Sequence, residues 1–177
     1  SSGLHSNGYS LARKIVADAG LALTEPLEGL EGTLGDVLLE PTLVYTPGIL
    51  QVLDQLPGVV HPASHITGGG IAQNLQRVIP SGAGITLERG SWTLPPVFSV
   101  LAQHGGLALT EVEDTWNLGM GAALVVEAGS GADVVTLLGE AGYAASILTT
   151  VEASDTASEA AKGVRGGAVE LTGAFRS

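Results

Sequence analysis

The sequence predicts an α+β domain in which a mixed sheet is covered by helices, in α/β/α layers. It has 177 residues, of which 45% are hydrophobic and 14% charged, enough for one domain with its own core. Helix-like and strand-like apolar patterns alternate along it, without the regular spacing of a doubly wound fold. The 26 glycines and 8 prolines divide these patterns into short elements joined by tight turns.

In the first half, helices are predicted where apolar residues recur at helical spacing and end at Gly or Pro. These ranges are 9–19, 34–39, 48–56 and 71–79. Strands are predicted over 59–66 and 85–89, where apolar residues run together or alternate with polar ones. Because Pro62 has no amide hydrogen, the strand 59–66 must lie at a sheet edge or contain a bulge.

The second half predicts three more helices and three more strands. The helices cover 96–105, 110–116 and 132–141, and the first follows Pro95-Pro96, where proline is tolerated. The strands cover 119–127, 144–151 and 168–172. Residues 152–165 are rich in Ala, Ser and acidic side chains, and we expect a flexible loop there. The whole range 1–177 is predicted to be a single domain.

The charge balance argues against several classes of partner. Seven basic and 18 acidic residues give a formal net charge of −11. Nucleic acids and anionic membranes need clustered Lys or Arg, so we expect neither as a partner. No apolar stretch reaches the roughly 18–20 residues of a membrane span, and no signal peptide is visible. The absence of cysteine excludes disulfides and thiolate chemistry and is consistent with a cytoplasmic protein.

A triple glycine lies between the strand 59–66 and the next helix. It stands in the segment His65-Ile66-Thr67-Gly68-Gly69-Gly70. Residues without a Cβ allow close approach of a ligand, and the amides that begin a helix attract anions. The segment is neither a Walker A loop nor a G-x-G-x-x-G motif. It predicts an anion-binding loop, or else merely a tight strand-to-helix connection.

A second polar segment, His5-Ser6-Asn7, precedes the first helix. An imidazole beside an amide can bind phosphate, orient an amide substrate or transfer protons. The alternative is that Asn7 caps the helix and His5 is solvated. The four histidines show no metal-ligand spacing, and His61 and His65 are too far apart on a strand for a tight pair. We therefore expect no metal site formed by these residues.

Six segments in order resemble the phosphoribosylformylglycinamidine cyclo-ligases, also called aminoimidazole ribonucleotide synthetases. The likeness covers residues 1 to about 151 and only the C-terminal domain of that family. Its N-terminal domain, which is β-rich, dimerises and carries most ATP and magnesium contacts, is not in this sequence, so we expect a fragment of a longer two-domain enzyme. The segments are Ser1–Leu11, Leu38–Thr42, His65–Gly70, Trp92 with Pro95–Phe98, Asn117–Gly121 and Leu138–Glu140.

The resemblance implies a partly ferredoxin-like fold and a role in purine biosynthesis. The implied reaction closes the imidazole ring of formylglycinamidine ribonucleotide with ATP and Mg²⁺, giving aminoimidazole ribonucleotide, ADP and phosphate. The isolated domain is expected to be inactive, and the full-length enzyme is expected to be a homodimer. His5 and Asn7 are the implied catalytic residues. The implied substrate-binding or phosphate-binding residues are Ser6, Thr42, His65, Thr67, Gly68, Gly69 and Gly70.

The sequence departs from the family at one place. After Glu40-Pro41-Thr42 the family usually has a basic residue and often a lysine further on, but here Leu43 and Pro47 stand at those positions. Two alternatives therefore stay open. One is a different ATP-using relative with the same architecture, such as selenophosphate synthetase, thiamine-monophosphate kinase or the preceding amidine synthetase. The other is a nucleotide-binding module without catalysis.

Overall fold

The computed structural model describes residues 1–156, 158–160 and 164–176. Helices and strands alternate along these residues, as the sequence predicts. The helices are α1 (Tyr9–Asp18), α2 (Leu34–Leu39), α3 (Thr46–Gln55), α4 (Gly70–Gln76), α5 (Pro96–Gly105), α6 (Leu109–Val112) and α7 (Gly131–Glu140). The strands are β1 (Val60–His65), β2 (Ala83–Glu88), β3 (Ala122–Val126), β4 (Glu152–Ala153), β5 (Ser158–Ala160), β6 (Val164–Gly166) and β7 (Ala168–Thr172).

The strands form three small sheets in the described part of the chain. β1 pairs with β3 antiparallel, and β5 pairs with β6 antiparallel. β2 is the centre of the only mixed sheet among them, parallel to β7 and antiparallel to β4. The α+β class is therefore confirmed. The mixed sheet is smaller than the sequence predicts, because β1 pairs with β3 alone and β5 with β6 alone.

Two apolar clusters form the core. In the first, α1 packs against α5, and Phe98 contacts Trp116 with ring centroids 5.8 Å apart. In the second, α4 packs against β7 and β1, and Ile66 and Leu87 are almost completely buried. The loop that carries the triple glycine lies where β1 leads into α4, so the second cluster fixes its position.

Local signals explain several element ends. Pro96 is the first residue of α5, as the Pro-Pro pair predicts. The β1–β3 register shifts between Val60 and Ala63, which confirms the irregularity expected at Pro62. α2 begins with a capping box, in which Thr33 Oγ1 accepts from the Asp36 amide at 3.1 Å and the Asp36 carboxylate accepts from the Thr33 amide at 3.3 Å.

The predicted strand over 144–151 is wrong. This segment has no regular secondary structure. The apolar residues of this segment predicted a strand, but Ile147 is 64% and Val151 37% exposed. Ile147 lies beside Gly131 of α7, and Leu148 packs against the second core cluster. None of the described strands pairs with the segment through backbone hydrogen bonds.

The range 152–165 contains short strands where the sequence predicted a loop. β4 pairs with β2, and β5 pairs with β6. Part of the predicted loop, residues 157 and 161–163, lies outside the described residues, and the flexibility of the range stays a prediction. Within the part of the chain that the structure describes, no helix is long and apolar enough to cross a bilayer.

Candidate functional site

The turn over residues 3–8 is fixed from the opposite side by Asn117. This side chain is buried, and its Nδ2 donates to the carbonyl oxygens of Gly3 at 2.8 Å and Leu4 at 3.2 Å. His5 follows in the left-handed region with a φ of 59°, which is uncommon for a residue with a Cβ. The hydrogen bonds from Asn117 hold the turn in place, and His5 is directed into the protein.

His5 is 6% exposed, so the expected solvated side chain is not found. Its Nε2 accepts a hydrogen bond from the Ser2 amide at 3.2 Å. Burial, with smaller effects of the positive amino group of Ser1 and of the nearby His65, lowers the pKa of His5 to about 4. The imidazole is consequently neutral at pH 7.

Tyr45 lies between His5 and His65. Its ring centroid is 5.9 Å from that of His5 and 6.2 Å from that of His65. The Tyr45 hydroxyl occupies the space beside Gly121 where any other residue would place its Cβ. Burial, with a smaller effect of Tyr143, raises the pKa of Tyr45 to about 12, so the phenol stays protonated. Two sequence segments about 60 residues apart are joined through this ring.

The glycine loop lies against the His5–Asn7 turn. A Cβ added at Gly68 would be 3.6 Å from Asn7 Oδ1, and Gly68 is exposed. Asn7 does not cap α1, contrary to the capping alternative, because Gly8 takes the N-cap position at a φ of 76° with no side-chain cap. The side-chain amide of Asn7 is therefore available at the surface of the glycine loop.

Asn74 holds the glycine loop from within. It is 3% exposed, and its Nδ2 donates to the carbonyl oxygens of Gly70 at 2.7 Å, Thr67 at 3.3 Å and Gly68 at 3.4 Å. Its Oδ1 accepts from the Thr67 hydroxyl at 3.3 Å. One buried amide thus fixes most of the backbone of the loop.

The expected anion-binding amides are partly used inside the protein. The Gly69 amide donates to the Asp114 carbonyl oxygen at 2.9 Å, and the Gly70 amide donates to the Thr67 carbonyl oxygen at 3.1 Å. Gly70 has no room for a side chain, because an added Cβ would overlap the Glu113 carbonyl group. In this conformation Gly69 and Gly70 fix the loop and do not offer these two amides to an anion.

A cleft of about 370 Å³ opens beside the His5–Asn7 turn. The Ser6 and Thr42 hydroxyl groups are hydrogen-bonded to each other at 3.4 Å, and both residues line the cleft. Arg13 and Glu40 also line it, so one cation and one carboxylate border the cleft. Arg13 lies over the Tyr9 ring, 6.0 Å from the centroid. The size and the polar lining are suited to a small polar ligand.

Sequence reasoning identified His5, Ser6, Asn7 and Thr42 but missed Arg13 and Tyr45. Arg13 looked like an ordinary residue on the surface of α1, and only the fold brings it to Thr42. Tyr45 lies outside any local motif. His65 is exposed and contacts the ring of Tyr45, whereas Thr67 contacts Asn74, away from the lining of the cleft.

The described residues contain no group of three or more His, Asp or Glu side chains that could hold a metal ion. His61 interacts with Glu127 at 3.1 Å on the surface, and His65 lies by Tyr45, so these two histidines have separate surroundings. A second cavity, of about 460 Å³, lies at the β4-β2-β7 sheet and is lined by Thr86, Thr150 and Glu170 among others. It contains none of the predicted site residues.

The fold and the cleft define an α+β domain with a polar site between the turn before α1 and the segment 38–42, and with a glycine loop next to that turn. The family model described as "AIR synthase related protein, C-terminal domain" matches residues 1–161. The chain belongs to this family, as its C-terminal domain, and the resemblance found in the sequence is confirmed.

Three relatives show the extent of the similarity. The phosphoribosylformylglycinamidine cyclo-ligase of Shouchella clausii is 46% identical over 127 residues, 71% of this chain and 36% of the relative. That of Bacillus licheniformis is 40% identical over 154 residues, 86% of this chain and 44% of the relative. The trifunctional purine biosynthetic protein adenosine-3 of Bos taurus is 49% identical over 128 residues, 71% of this chain and 12% of the relative. The chain thus spans less than half the length of each.

Proposed function

We propose that this chain is the substrate-binding C-terminal part of an ATP-dependent phosphoribosylformylglycinamidine cyclo-ligase. The observation that carries the proposal is that the His5–Asn7 turn borders the cleft through His5 and Ser6 and also lies next to the glycine loop, where a Cβ on Gly68 would be 3.6 Å from Asn7 Oδ1. The chain's family and the names of its relatives support the same reaction.

In the proposed reaction, ATP phosphorylates the formamide oxygen of formylglycinamidine ribonucleotide. A nitrogen of the same molecule attacks the activated carbon, and phosphate leaves as the imidazole ring closes. Such chemistry depends mainly on positioning and on charge neutralisation. His5 and Asn7 would contact the reacting end of the substrate. Gly68 would allow its close approach.

The cleft supplies the contacts that a phosphoribosyl group requires. Ser6 and Thr42 place a pair of mutually hydrogen-bonded hydroxyl groups in its lining. Arg13 lines the same cleft and provides the positive charge that is absent at Leu43 and Pro47. Guanidinium groups bind phosphate through paired hydrogen bonds, so Arg13 is suited to the 5′-phosphate of the nucleotide.

Mg²⁺ and most of the ATP contacts are proposed to come from the part of the enzyme outside this chain. The described residues lack a carboxylate cluster of the kind that holds Mg²⁺, so the donor set here does not fit the metal. We further propose that the complete enzyme is a cytoplasmic homodimer and that its N-terminal domain covers the cleft.

A substrate comparison tests the function. The complete protein that contains this chain is incubated with ATP and Mg²⁺ and, in turn, with formylglycinamidine ribonucleotide, selenide, thiamine monophosphate or the substrates of the amidine synthetase. We expect ADP and aminoimidazole ribonucleotide to form in equal amounts with the first substrate and with none of the others. ADP formation with one of the others would assign a different ATP-using relative. Ligand binding without ADP formation would assign a non-catalytic module.

A matched pair of variants tests the cleft. Arg13→Gln is expected to raise KM for the nucleotide about tenfold or more, since an ionic hydrogen bond to phosphate contributes about 1.5–3 kcal/mol. Lys14→Gln is the control, because Lys14 lies next along α1, outside the cleft, and pairs with Asp18 at 2.5 Å. Equal KM values in the two variants would remove Arg13 from the proposed site.

A further inference from the structure

Two buried polar atoms in the site have no hydrogen-bond partner among the described residues. They are Nδ1 of His5 and the hydroxyl oxygen of Tyr45. The two rings are neighbours, with centroids 5.9 Å apart. Because buried polar groups in folded proteins are almost always paired, the unpaired Nδ1 of His5, a residue that lines the cleft, indicates a place where a ligand completes the hydrogen bonding.

The hydrogen bond from Ser2 determines which nitrogen of His5 carries the proton. The Ser2 amide donates to Nε2, so Nε2 is the acceptor. A neutral imidazole has one acceptor and one donor nitrogen, which assigns the proton to Nδ1. The only lone pair of the neutral ring is therefore already occupied. A general base needs a free lone pair, and His5 does not have one in this arrangement.

We propose that His5 acts as a neutral hydrogen-bond donor through Nδ1–H, toward an acceptor oxygen of the ligand, and that Tyr45 is the residue that positions it. The proposal rests on the proposed function for the identity of the ligand. Two oxygens of the nucleotide share the required chemistry: the formamide carbonyl oxygen and a phosphate oxygen. A donor to the formamide oxygen would polarise the carbonyl group that ATP phosphorylates.

The surroundings of His5 support a donor that faces a ligand. Although only 6% of it is exposed, His5 is one of the residues that line the cleft with Ser6 and Thr42. Its charged form is disfavoured by burial, by the Ser1 amino group and by His65. The carboxylate of Glu40 also borders the cleft. The imidazole thus remains a neutral donor next to the space that a ligand would fill.

The packing of Tyr45 explains how it can hold the imidazole. Its hydroxyl fits beside Gly121, which lacks the Cβ that would displace it. On another side the Tyr143 ring lies 6.1 Å away and is fixed by its own hydroxyl, which donates to the Val44 carbonyl oxygen at 2.7 Å. Tyr45 is therefore held by its neighbours while its ring contacts His5.

The first test observes the proton directly. The 177-residue chain is labelled with ¹⁵N-histidine, and long-range ¹H–¹⁵N correlations are recorded at pH 7, with the His5 signals assigned by their loss in His5→Asn. The expected pattern is a protonated Nδ1 and an unprotonated Nε2. A protonated Nε2, or a cationic ring, would overturn the proposal. This NMR measurement does not depend on turnover. A wrong assignment of the His5 proton can therefore be distinguished from a wrong proposed function.

Ligand titration identifies the acceptor. Formylglycinamidine ribonucleotide without ATP is expected to move the Nδ1–H proton signal downfield. If ribose 5-phosphate produces the same shift, the acceptor is a phosphate oxygen; if only the full nucleotide does, it is the formamide oxygen. No shift with either probe at concentrations that perturb Ser6 or Thr42 would overturn the proposal. In Tyr45→Leu, which removes the ring that contacts His5, the shift is expected to shrink, whereas Tyr45→Phe, which keeps the ring, should retain most of it.

Kinetics of the complete protein provide the second test. The Asn side chain places an N–H close to the position of Nδ1, whereas the Gln side chain places its N–H near Nε2. His5→Asn is therefore expected to retain at least tenfold more kcat/KM than His5→Gln. Tyr45→Leu should lower kcat/KM tenfold to a hundredfold, and Tyr45→Phe, which keeps the ring against His5, should recover most of that loss. Equal values for Asn and Gln, or for the two tyrosine variants, would contradict the proposal.

Discussion

Replacing Gly70 with alanine tests how the glycine loop is held. Gly70 has a φ of 61°, and an added Cβ would lie 2.8 Å from the carbonyl carbon of Glu113 and overlap its oxygen. The left-handed conformation costs a residue with a Cβ about 1–2 kcal/mol. Forcing the backbone after α6 away adds about 2–3 kcal/mol, the upper part of the usual cost of overpacking, and weakens the bond from the Gly69 amide to the Asp114 oxygen. The expected loss of unfolding free energy is about 3–5 kcal/mol.

Gly20→Ala is the matched control, since Gly20 has a φ of 63° and nothing within 4 Å of the added Cβ. It should lose only the conformational part, about 1–2 kcal/mol. Urea denaturation of the 177-residue chain measures both variants. In a chain of this length the difference of about 2–3 kcal/mol corresponds to a Tm difference of roughly 4–12 °C. Losses equal within about 0.5 kcal/mol would refute the reasoning that α6 packs against the loop.

The remaining predictions concern His5, Asn7 and Asn74. Because folding lowers the pKa of His5 from its ordinary value of 6.5 to about 4, the unfolded chain binds more protons between these two values. The free energy of unfolding should therefore fall by at most about 3 kcal/mol as the pH drops from 7 to 4. In His5→Gln this part of the pH dependence should be absent when urea denaturation is measured across the same pH range. Asn7→Ala should change the unfolding free energy by less than about 0.5 kcal/mol yet weaken nucleotide binding measured by calorimetry; a loss of about 1 kcal/mol in stability would instead indicate a cap. Asn74→Ala should cost about 2–4 kcal/mol in thermal denaturation, since several loop carbonyl groups lose their donor, and a cost below about 1 kcal/mol would contradict its role.

Much of the helical structure could be predicted because its signals are local. Apolar spacing and Gly or Pro boundaries placed α1, α2, α5 and α7 within about two residues of their observed ends. The prediction failed for 144–151, where Ile147 and Val151 are exposed and Leu148 packs against the second core cluster. Apolar residues in a short segment do not show whether a neighbouring strand is present to pair with the backbone.

The candidate site was only partly predictable for the same reason. His5, Asn7 and Gly68 stand in short segments with recognisable chemistry. Tyr45 acquires its position only because Gly121, 76 residues further along, leaves room for its hydroxyl. The internal use of the Gly69 amide was also not predictable, because its acceptor is the carbonyl oxygen of Asp114 on a distant turn. Tertiary contacts of this kind have no local signature.

Amide chemical-shift mapping tests the central claim most directly. The ¹⁵N-labelled 177-residue chain is titrated with formylglycinamidine ribonucleotide in the absence of ATP. We predict that the shifts concentrate at Ser6 and Thr42, which line the cleft, and at Asn7 and Gly68 on the adjoining surface. Shifts confined to the residues of the second cavity at the β4-β2-β7 sheet would contradict it.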